Sequence, residues 1–216
     1  MKPYNPPMDP YLDILYIDDD LIVANKQSGL LTVPGRGEDK QDCLIHRVQT
    51  QFPTATIVHR LDMQTSGIVV IALNKKAQSN LGRSFQEREV HKNYLAWVSG
   101  CPEMESGCID LPLITDWPNR PRQKVDFELG KPSITNWEII SKQNDRALLS
   151  LTPITGRSHQ LRVHLAEIGH PILGDPLYAT IEALEMAPRL LLHASTLAFP
   201  HPRSGDRISF KSDVPF

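Results

Sequence analysis

Apolar residues recur along this chain with two different spacings, and each spacing predicts a different kind of element. Ala77, Leu81 and Phe85 stand four residues apart, and the charged residues of the segment fall on the other faces, which is typical of an amphipathic helix with one buried face. Similar spacings predict two further helices, the second of which ends before Gly169. The predicted helices cover residues 42–52, 75–88 and 158–168.

Short apolar runs bounded by turn-forming residues predict β-strands between these helices. The uninterrupted run from Ile68 to Leu73 indicates a strand that is buried on both faces. Two short strands are expected on either side of the turn Asp18-Asp19-Asp20. Further strands are predicted over residues 93–99, 133–141, 146–152, 190–199 and 207–211.

Neighbouring hairpin-like strands with only a few helices favour an α+β fold over a doubly wound parallel one. We expect a large mixed sheet, mostly antiparallel, flanked by a few helices and loops. The chain has 216 residues, of which 40% are hydrophobic and 22% charged. That length suits one sizeable core and is short for two independent domains. A single domain over residues 1–216 is therefore expected.

The hydrophobic pattern does not predict a membrane segment. The longest apolar run, residues 67–73, is far shorter than a membrane span. The first residues lack the apolar stretch of a signal peptide. We therefore expect a cytoplasmic protein without a membrane partner.

Cysteine usage and missing motifs narrow the possible chemistry. Cys43, Cys101 and Cys108 form an odd set without a CxxC pair, which argues against a disulfide framework or a zinc site and leaves them as packing residues. The motifs of phosphate loops, dinucleotide-binding loops and HExxH metal sites do not occur. His159 and His164 are five positions apart and so do not share a helical face. Neither a metal nor a nucleotide cofactor is expected.

The net charge of −2 argues against nucleic-acid binding through bulk electrostatics alone. Any such binding would depend on local basic clusters, although a cluster of this kind is more often a solvated face. Two clusters are present: Arg120, Arg122, Lys124 and Lys131, and Arg157, His159, Arg162 and His164.

A carboxylate at position 62 stands just before the turn-like residues 64–67 and the buried strand. A carboxylate on a turn that enters a sheet is held rigidly while it faces a cleft, as a catalytic group requires. The neighbouring Arg60 would favour its ionised form. Local chemistry supports an alternative equally well, in which Asp62 caps the turn at Thr65 and Ser66.

Two other regions hold candidate functional residues. An arginine on the inner side of the helix begun by Thr155 or Ser158 would suit a buried carboxylate through bidentate geometry. The plainer alternative for Arg157 or Arg162 is a surface salt bridge. Tyr94, within a predicted strand, is either a stacking platform for an unstacked base or a core tyrosine with a satisfied hydroxyl.

The segment HRLDMQTSG, residues 59–67, resembles the HRLDxxTSG signature of the RluA family of pseudouridine synthases. Five ordered matches of this kind, from about residue 25 to residue 202, are far more specific than any one of them. The sequence departs from the family at Gln27, where Pro is usual, and this affects the rigidity of the opening loop. The other matches are NKQSGL at 25–30, GRSHQLRVH at 156–164, GHPILGD with Tyr178 at 169–178, and LLHA with HP at 191–202.

The segment DWPNRP, residues 116–121, further resembles the founding member of that family, which acts on both large-subunit ribosomal RNA and certain tRNAs. Because the chain begins almost directly at the catalytic domain, we expect no N-terminal S4-type RNA-binding domain. The resemblance implies the pseudouridine synthase fold and an isomerase, an intramolecular transferase. It would act without a cofactor, as a monomer, on specific uridines of 23S ribosomal RNA and tRNA anticodon stem-loops.

The same resemblance implies a role for individual residues. Asp62 is the nucleophile, and one carboxylate suffices because the detached base stays in the pocket and is recaptured. The uridine is flipped out of the stack, Arg60 fills the gap behind it, Tyr94 packs on the flipped base and Arg162 pairs with the catalytic carboxylate. Whether Asp62 attacks the ribose, attacks the base or removes a ribose proton stays open. The implied RNA-binding residues are His59, Arg60, Arg157, His159, Arg120, Arg122 and Lys124.

Three alternatives are compatible with the residues. The same chemistry could be restricted to one class of RNA, since target choice depends on RNA shape. A catalytically silent RNA-binding protein of the same fold would not need Asp62, whose charge repels phosphate. A nucleoside hydrolase would need a second acid or base and would release free uracil.

Overall fold

The computed structural model describes residues 3–216, and the chain folds into two compact units. The first unit extends to Lys92 and resumes over Ala194–Pro215. The second unit comprises Asn93–His193 together with Phe216. No helix within residues 3–216 is long and apolar enough to span a membrane.

The regular elements of the described residues are mainly strands. In chain order the strands are β1 Ile14–Ile17, β2 Leu21–Lys26, β3 Thr56–Ile57, β4 Ser66–Ala72, β5 His91–Ser99, β6 Ser106–Asp110, β7 Leu113–Thr115, β8 Gln123–Val125, β9 Ile134–Gln143, β10 Arg146–Pro153, β11 Leu192–Pro200 and β12 Arg207–Lys211. The helices are α1 Leu44–Gln49, α2 Lys75–Gln86, α3 Gln160–Glu167 and α4 Ile181–Glu185, with short 3-10 turns at Glu38–Lys40 and Trp117–Asn119.

The sheet of the first unit has the strand order β1-β2-β4-β11, with β3 beside β4 and β12 beside β11. The β1–β2, β2–β4, β3–β4 and β11–β12 pairs are antiparallel. All seven residues of β4 are buried, because this strand has neighbours along both edges and core residues on both faces. The prediction of a doubly buried strand is therefore confirmed.

Helix α2 packs against this sheet through the face that the spacing predicts. Ala77 and Leu81 are buried and belong to the same core cluster as Val70 of β4 and Phe199 of β11. The Asn74 side chain caps the helix by accepting a hydrogen bond from the Ala77 amide at 2.9 Å. Such a cap stabilises a helix by about 1 kcal/mol.

The second unit contains strands in the order β5-β10-β9-β6 and a separate hairpin, β7–β8. The β5–β10, β9–β10 and β6–β9 pairs are all antiparallel. Its core joins Ala96 and Val98 of β5 to Leu149 of β10 and to Leu161 and Leu165 of α3. Helix α3 is thereby fixed to the sheet.

The predicted α+β fold with a mostly antiparallel sheet is confirmed. The two strands around the Asp18 turn, the buried strand, and the strands predicted over residues 93–99, 133–141, 146–152, 190–199 and 207–211 are all present within a few residues. Strands β3, β6, β7 and β8 and helix α4 were not predicted, because none is longer than five residues and so none repeats a burial pattern.

Two details of the sequence interpretation are wrong. Helix α3 begins at Gln160 and not at Thr155 or Ser158, since His159 precedes it with a left-handed φ of 55°. Of the three cysteines, which are all free thiols, Cys43 is buried whereas Cys108 is exposed, so the latter is not a packing residue. Its side chain lies on the solvent face of the short strand β6.

Candidate active site

Asp62 lies on a tight turn directly before β4 in the first unit. The Thr65 amide donates to the Asp62 carbonyl at 3.1 Å and closes the turn. The Asp62 side chain is half-buried, whereas Thr65 and Ser66 are buried. Gly67 follows with a φ of 116°, and a Cβ there would clash with the Ala194 backbone. The glycine that ends the TSG motif therefore allows β4 to approach β11 closely.

A second segment, residues 26–32, clamps this turn through hydrogen bonds. The Gly29 amide donates to the Met63 carbonyl at 2.8 Å, and the Ser28 hydroxyl donates to the Gln64 carbonyl at 2.6 Å. On the other side of Asp62, the Thr32 hydroxyl donates to the Leu61 carbonyl at 2.8 Å and accepts from the Leu61 amide at 3.2 Å. The backbone on both sides of the carboxylate is thereby held.

Lys26 contributes a buried ammonium to the same clamp. The residue is only 1% exposed, and its Nζ donates to the carbonyls of Gln27 at 2.9 Å, Leu30 at 2.7 Å and Met63 at 3.1 Å. Three carbonyl acceptors compensate the desolvation of this charge. Gln27, which replaces the usual Pro, donates from Nε2 to the Asp9 carbonyl at 2.8 Å, so the opening loop gains a tether in place of a rigid ring.

His59 and Arg60 differ in their surroundings, although they are adjacent. The His59 Nε2 accepts a hydrogen bond from the Val70 amide at 3.0 Å, and its ring stacks on Phe85 with centroids 4.7 Å apart. Burial, together with the nearby charge of Lys92, lowers the pKa of His59 to about 3. The imidazole is thus neutral near pH 7 and brings no positive charge to RNA. Arg60 is exposed.

Tyr94 lies on β5 of the second unit, opposite Leu151 of β10. It is half-buried and packs against the core cluster that contains Ala96 and Val98, so these three residues share one face of the strand. The neighbouring Asn93 side chain donates to the Ser150 hydroxyl at 2.7 Å. Strand β5 is therefore firmly held at this point.

Arg162 projects from α3 into a buried ion pair. Its Nε donates to Asp175 Oδ2 at 2.8 Å and its Nη2 to Asp175 Oδ1 at 2.7 Å. The side chains are 3% and 0% exposed, so the alternative of a surface salt bridge is wrong. The guanidinium carbon also lies 5.2 Å from the centroid of the Tyr178 ring. The Asp175 carboxylate and the Tyr178 ring together fix the orientation of the guanidinium plane.

Polar residues of α3 anchor the helix to β9. Gln160 Nε2 donates to the Thr135 hydroxyl at 3.0 Å and to the Ile134 carbonyl at 2.9 Å. His164 is buried between the Thr135 hydroxyl and the Leu111 carbonyl, each 3.0 Å away, and burial lowers its pKa. Both side chains are fully satisfied by this network, which sets the position of Arg162 between them.

The predicted basic cluster at residues 120–124 belongs to the β7–β8 hairpin and its tip. Arg120, Arg122 and Lys124 are all exposed. Tyr178 connects this hairpin to α3, because its hydroxyl accepts from the Gln123 amide at 2.8 Å and is 2.6 Å from His159 Nδ1. Arg157 is exposed, whereas His159 is half-buried.

Asp18, Asp20 and His201 form the cluster among the described residues whose side-chain atoms are close enough to share a metal. The residues already bind one another and their neighbours. His201 Nε2 is 2.9 Å from Asp18 Oδ2, and Arg203 Nε donates to Asp20 at 2.5 Å. Burial raises the pKa of Asp18, but hydrogen bonds outweigh it and lower the pKa to about 2. We assign no metal site to this network.

Three of the residues described above were not singled out as functional from the sequence. Each lies in a segment that matches the family. Lys26 belongs to NKQSGL, and Asp175 and Tyr178 belong to GHPILGD and the tyrosine that follows it. The family motifs therefore pointed to these three residues. Their distance along the chain from Asp62 or Arg162, however, does not show which groups they contact.

Comparison with known proteins places the chain in a family. The family sequence model described as RNA pseudouridylate synthase matches residues 20–167. The chain belongs to this family of isomerases, which act on RNA to form pseudouridine.

Individual relatives match over all or nearly all of the chain. The dual-specificity RNA pseudouridine synthase RluA of Escherichia coli (strain K12) is 54% identical over 217 residues, covering 100% of this chain and 99% of that protein. The protein of the same name from Yersinia pestis is 53% identical and covers 94% and 99%. The resemblance to the RluA family is thereby confirmed.

A solved structure also matches. The human RNA pseudouridylate synthase domain containing 1 superposes with a TM-score of 0.82 at 30% sequence identity, covering 98% of this chain and 87% of that one. The predicted pseudouridine synthase fold is therefore confirmed.

Proposed function

We propose that this pseudouridine synthase modifies specific uridines both in 23S ribosomal RNA and in tRNA anticodon stem-loops, with the Asp62 carboxylate as nucleophile. The observation that carries the proposal is the clamped turn. Hydrogen bonds from Lys26, Ser28 and Gly29 hold its carbonyls, so the backbone that bears Asp62 is preorganised. Preorganisation of a reacting group lowers the barrier without a cost at the moment of reaction.

The reaction needs no second carboxylate and no cofactor. The bond between ribose C1′ and uracil N1 breaks, and a bond between C1′ and C5 forms. The C5 proton is lost and N1 gains a proton, so atoms and electrons balance. Because the uracil is recaptured instead of being replaced by water, the paired acid and base of a glycosidase are not required.

The other roles follow the family resemblance. We propose that Arg60, which is exposed, fills the gap that the flipped uridine leaves, and that Tyr94 packs on the flipped base. Arg162 would hold the catalytic carboxylate, and its rigid pairing with Asp175 supports a positioning role. The role of His59 in RNA binding stays a prediction, and its neutral ring would act by stacking or hydrogen bonding. Arg120, Arg122, Lys124, Arg157 and His159 would contact the RNA backbone.

Dual specificity is supported by the relatives. Two bacterial proteins named as dual-specificity synthases are 54% and 53% identical to the chain. We further propose that residues 1–216 form one catalytic domain, because the family match over residues 20–167 takes in parts of both units. We also propose that the protein is a monomer. It would act in the cytoplasm, where bacterial ribosomal RNA and tRNA are made.

The proposed nucleophile is tested by Asp62→Asn, with Asp39→Asn as the control because the Asp39 side chain is 66% exposed. Both proteins are incubated with unmodified 23S ribosomal RNA and tRNA transcripts, and pseudouridine is located by chemical mapping. We expect no pseudouridine from Asp62→Asn, unchanged activity from Asp39→Asn, and near-equal RNA affinity for both.

Other outcomes would contradict parts of the proposal. Turnover by a verified Asp62→Asn protein would remove this residue as nucleophile. Modification of a single transcript by the wild type would restrict the enzyme to one RNA class. RNA binding without any pseudouridine from the wild type would indicate a silent binding protein, and release of free uracil would indicate a hydrolase.

A further inference from the structure

An open cleft of about 440 Å³ lies along the β7–β8 hairpin in the second unit. We propose that it binds one unpaired nucleotide of the RNA substrate, in addition to the target uridine, with the base on the Trp117 indole and the phosphate at Lys131 and Arg157. This inference rests on the proposed function and adds a binding site to it. The cleft is lined by residues 113–115, Trp117, Gln123, Leu129, Lys131 and residues 156–158.

Trp117 provides a flat apolar surface that the fold does not use for its own core. The residue is 65% exposed, and the Arg120 guanidinium carbon lies 4.7 Å from its ring centroid. The hairpin tip is held by the Asp116 amide, which donates to the Arg122 carbonyl at 3.0 Å. A largely exposed indole with a cation on one face is a stacking platform for a base.

Lys131 and Arg157 supply positive charge at the same cleft. Both side chains are exposed, and neither forms an ion pair with a carboxylate among residues 3–216. Arg157 Nε donates to the Pro132 carbonyl at 3.3 Å, which orients the guanidinium. Lys124, in contrast, is 3.7 Å from Asp126. Two cations that have no ion pair among residues 3–216 therefore line the cleft, and phosphate is their natural partner.

The chemistry of the cleft favours an unpaired nucleotide over a duplex. A base stacked in a helix has no free face, whereas an unstacked base can lie on an aromatic side chain. Gln123 and Ser158 line the cleft and offer donors and acceptors to a base edge. The Gln123 amide is also bound to the Tyr178 hydroxyl at 2.8 Å, so the wall that would contact the base is fixed to the body of the unit.

Intrinsic tryptophan fluorescence tests this site directly. The chain has three tryptophans. Trp137 is 9% exposed, and Trp97 is half-buried with Arg146 lying 4.9 Å from its ring centroid. Quenching by an unmodified tRNA anticodon stem-loop transcript should therefore report on Trp117. We expect Trp117→Phe to abolish the quenching while RNA affinity stays within about twofold, because the ring is retained.

Removal of the ring should weaken binding itself. We expect Trp117→Ala to raise the Kd for the same transcript by about tenfold, the size of one lost base stack. The matched control is Phe127→Ala, since Phe127 is an aromatic of the same unit that is 77% exposed and does not line the cleft. Its Kd should equal that of the wild type. Equal urea midpoints for the variants exclude misfolding as the cause.

The salt dependence of binding tests the phosphate contact. Lys131→Gln and Arg157→Gln should each reduce the slope of log Kd against log salt concentration by roughly 0.7 to 0.9. Lys142→Gln is the control, because Lys142 is an exposed lysine paired with Glu105, and its slope should not change.

The outcomes separate this inference from the proposed function. If the wild type forms pseudouridine while Trp117→Ala binds RNA as tightly as the wild type, the cleft is not a nucleotide site and the proposed function stands. If the wild type forms no pseudouridine but RNA quenches the Trp117 fluorescence, the cleft is a nucleotide site and the proposed function is wrong. Unchanged salt slopes for both charge variants would overturn the assigned phosphate contact.

Discussion

Arg162 and Asp175 form a bidentate pair in the second unit, with Nε–Oδ2 and Nη2–Oδ1 distances of 2.8 and 2.7 Å. Asp175 also accepts from the backbone amides of Leu177 at 2.9 Å and Tyr178 at 3.3 Å. The carboxylate therefore fixes both the arginine proposed to act in catalysis and the turn that bears Tyr178. Since both side chains are almost fully buried, the pair compensates charges that solvent does not reach.

Asp175→Asn should both destabilise the protein and slow the reaction. The substitution removes the bidentate carboxylate charge from a buried guanidinium, which costs about 3 kcal/mol. Urea unfolding followed by tryptophan fluorescence measures the loss, and single-turnover pseudouridine formation measures the effect on rate. Asp145→Asn is the control, because Asp145 is exposed, and it should change stability by less than about 0.5 kcal/mol. Full stability in Asp175→Asn would contradict the importance of the pair.

Tyr178→Phe should weaken RNA binding more than it affects catalysis at saturating RNA. The variant keeps the ring below Arg162 but loses the hydroxyl that binds the Gln123 amide and His159. Without this bond the hairpin is less well fixed, and we expect the Kd for RNA to rise about threefold and the unfolding free energy to fall by about 1 kcal/mol.

The comparison for this variant is a tyrosine that is hydrogen-bonded in the other unit. The Tyr16 hydroxyl donates to Asp18 at 2.8 Å, so Tyr16→Phe loses a bond without touching the hairpin. Filter-binding assays should show a wild-type Kd for Tyr16→Phe. A wild-type Kd for Tyr178→Phe as well would show that the hydroxyl does not position the hairpin.

Lys26→Met should reduce the catalytic rate while RNA affinity changes little. The substitution removes the Nζ donor from the carbonyls of Leu30 and Met63. The Met63 carbonyl keeps the Gly29 amide, whereas a buried acceptor left without a donor costs about 1 to 3 kcal/mol. The turn that bears Asp62 then loses its fixed geometry. Lys40→Met is the control, since the Lys40 side chain is 40% exposed and its Nζ forms only a long ion pair with Asp39, at 4.0 Å. Equal single-turnover rates for both variants would argue against the clamp.

Tyr94 is expected to act through its ring. Tyr94→Phe should keep base stacking and most of the rate, whereas Tyr94→Leu should slow the reaction by about tenfold or more, because stacking on one base is worth about 1 to 3 kcal/mol. Single-turnover kinetics with a tRNA transcript distinguishes the two. The same rate for the wild type and both variants would remove Tyr94 from the site.

The pH dependence of stability should include a contribution from His59. Its pKa is about 3 in the folded protein, against 6.5 for an ordinary histidine. The unfolded chain therefore binds a proton that the folded protein rejects as pH falls below about 6.5. Folding stability should decrease by up to about 1.4 kcal/mol per pH unit in this window, and the loss stops only near the folded pKa.

His59→Gln isolates that contribution because glutamine does not titrate. The unfolding free energy is measured with urea at a series of pH values between about 7 and 4.5. Its dependence on pH should be weaker in the variant, by the amount that corresponds to binding about one proton fewer on unfolding. Other carboxylates and histidines titrate alike in both proteins and cancel in the difference. Identical slopes would mean that His59 is protonated in the folded protein.

Much of this protein could be predicted from hydrophobic spacing and motifs. Burial on one or both faces repeats with the geometry of the element, so α2 and the doubly buried β4 were predicted from Leu81, Phe85 and the run at 68–73. The motif around Asp62 indicated the family, because five ordered matches do not arise by chance. Local patterns of this kind determined the fold class and the candidate nucleophile.

Interactions between distant residues were decided by the tertiary structure alone. Arg162 and Asp175 are 13 positions apart and Lys26 and Met63 are 37 apart, and no local pattern states which partner a buried charge finds. The β7–β8 hairpin was also hidden, since its prolines and charged residues do not alternate as strand residues do. Local burial depends on neighbours in sequence, whereas charge compensation depends on the path of the chain through space.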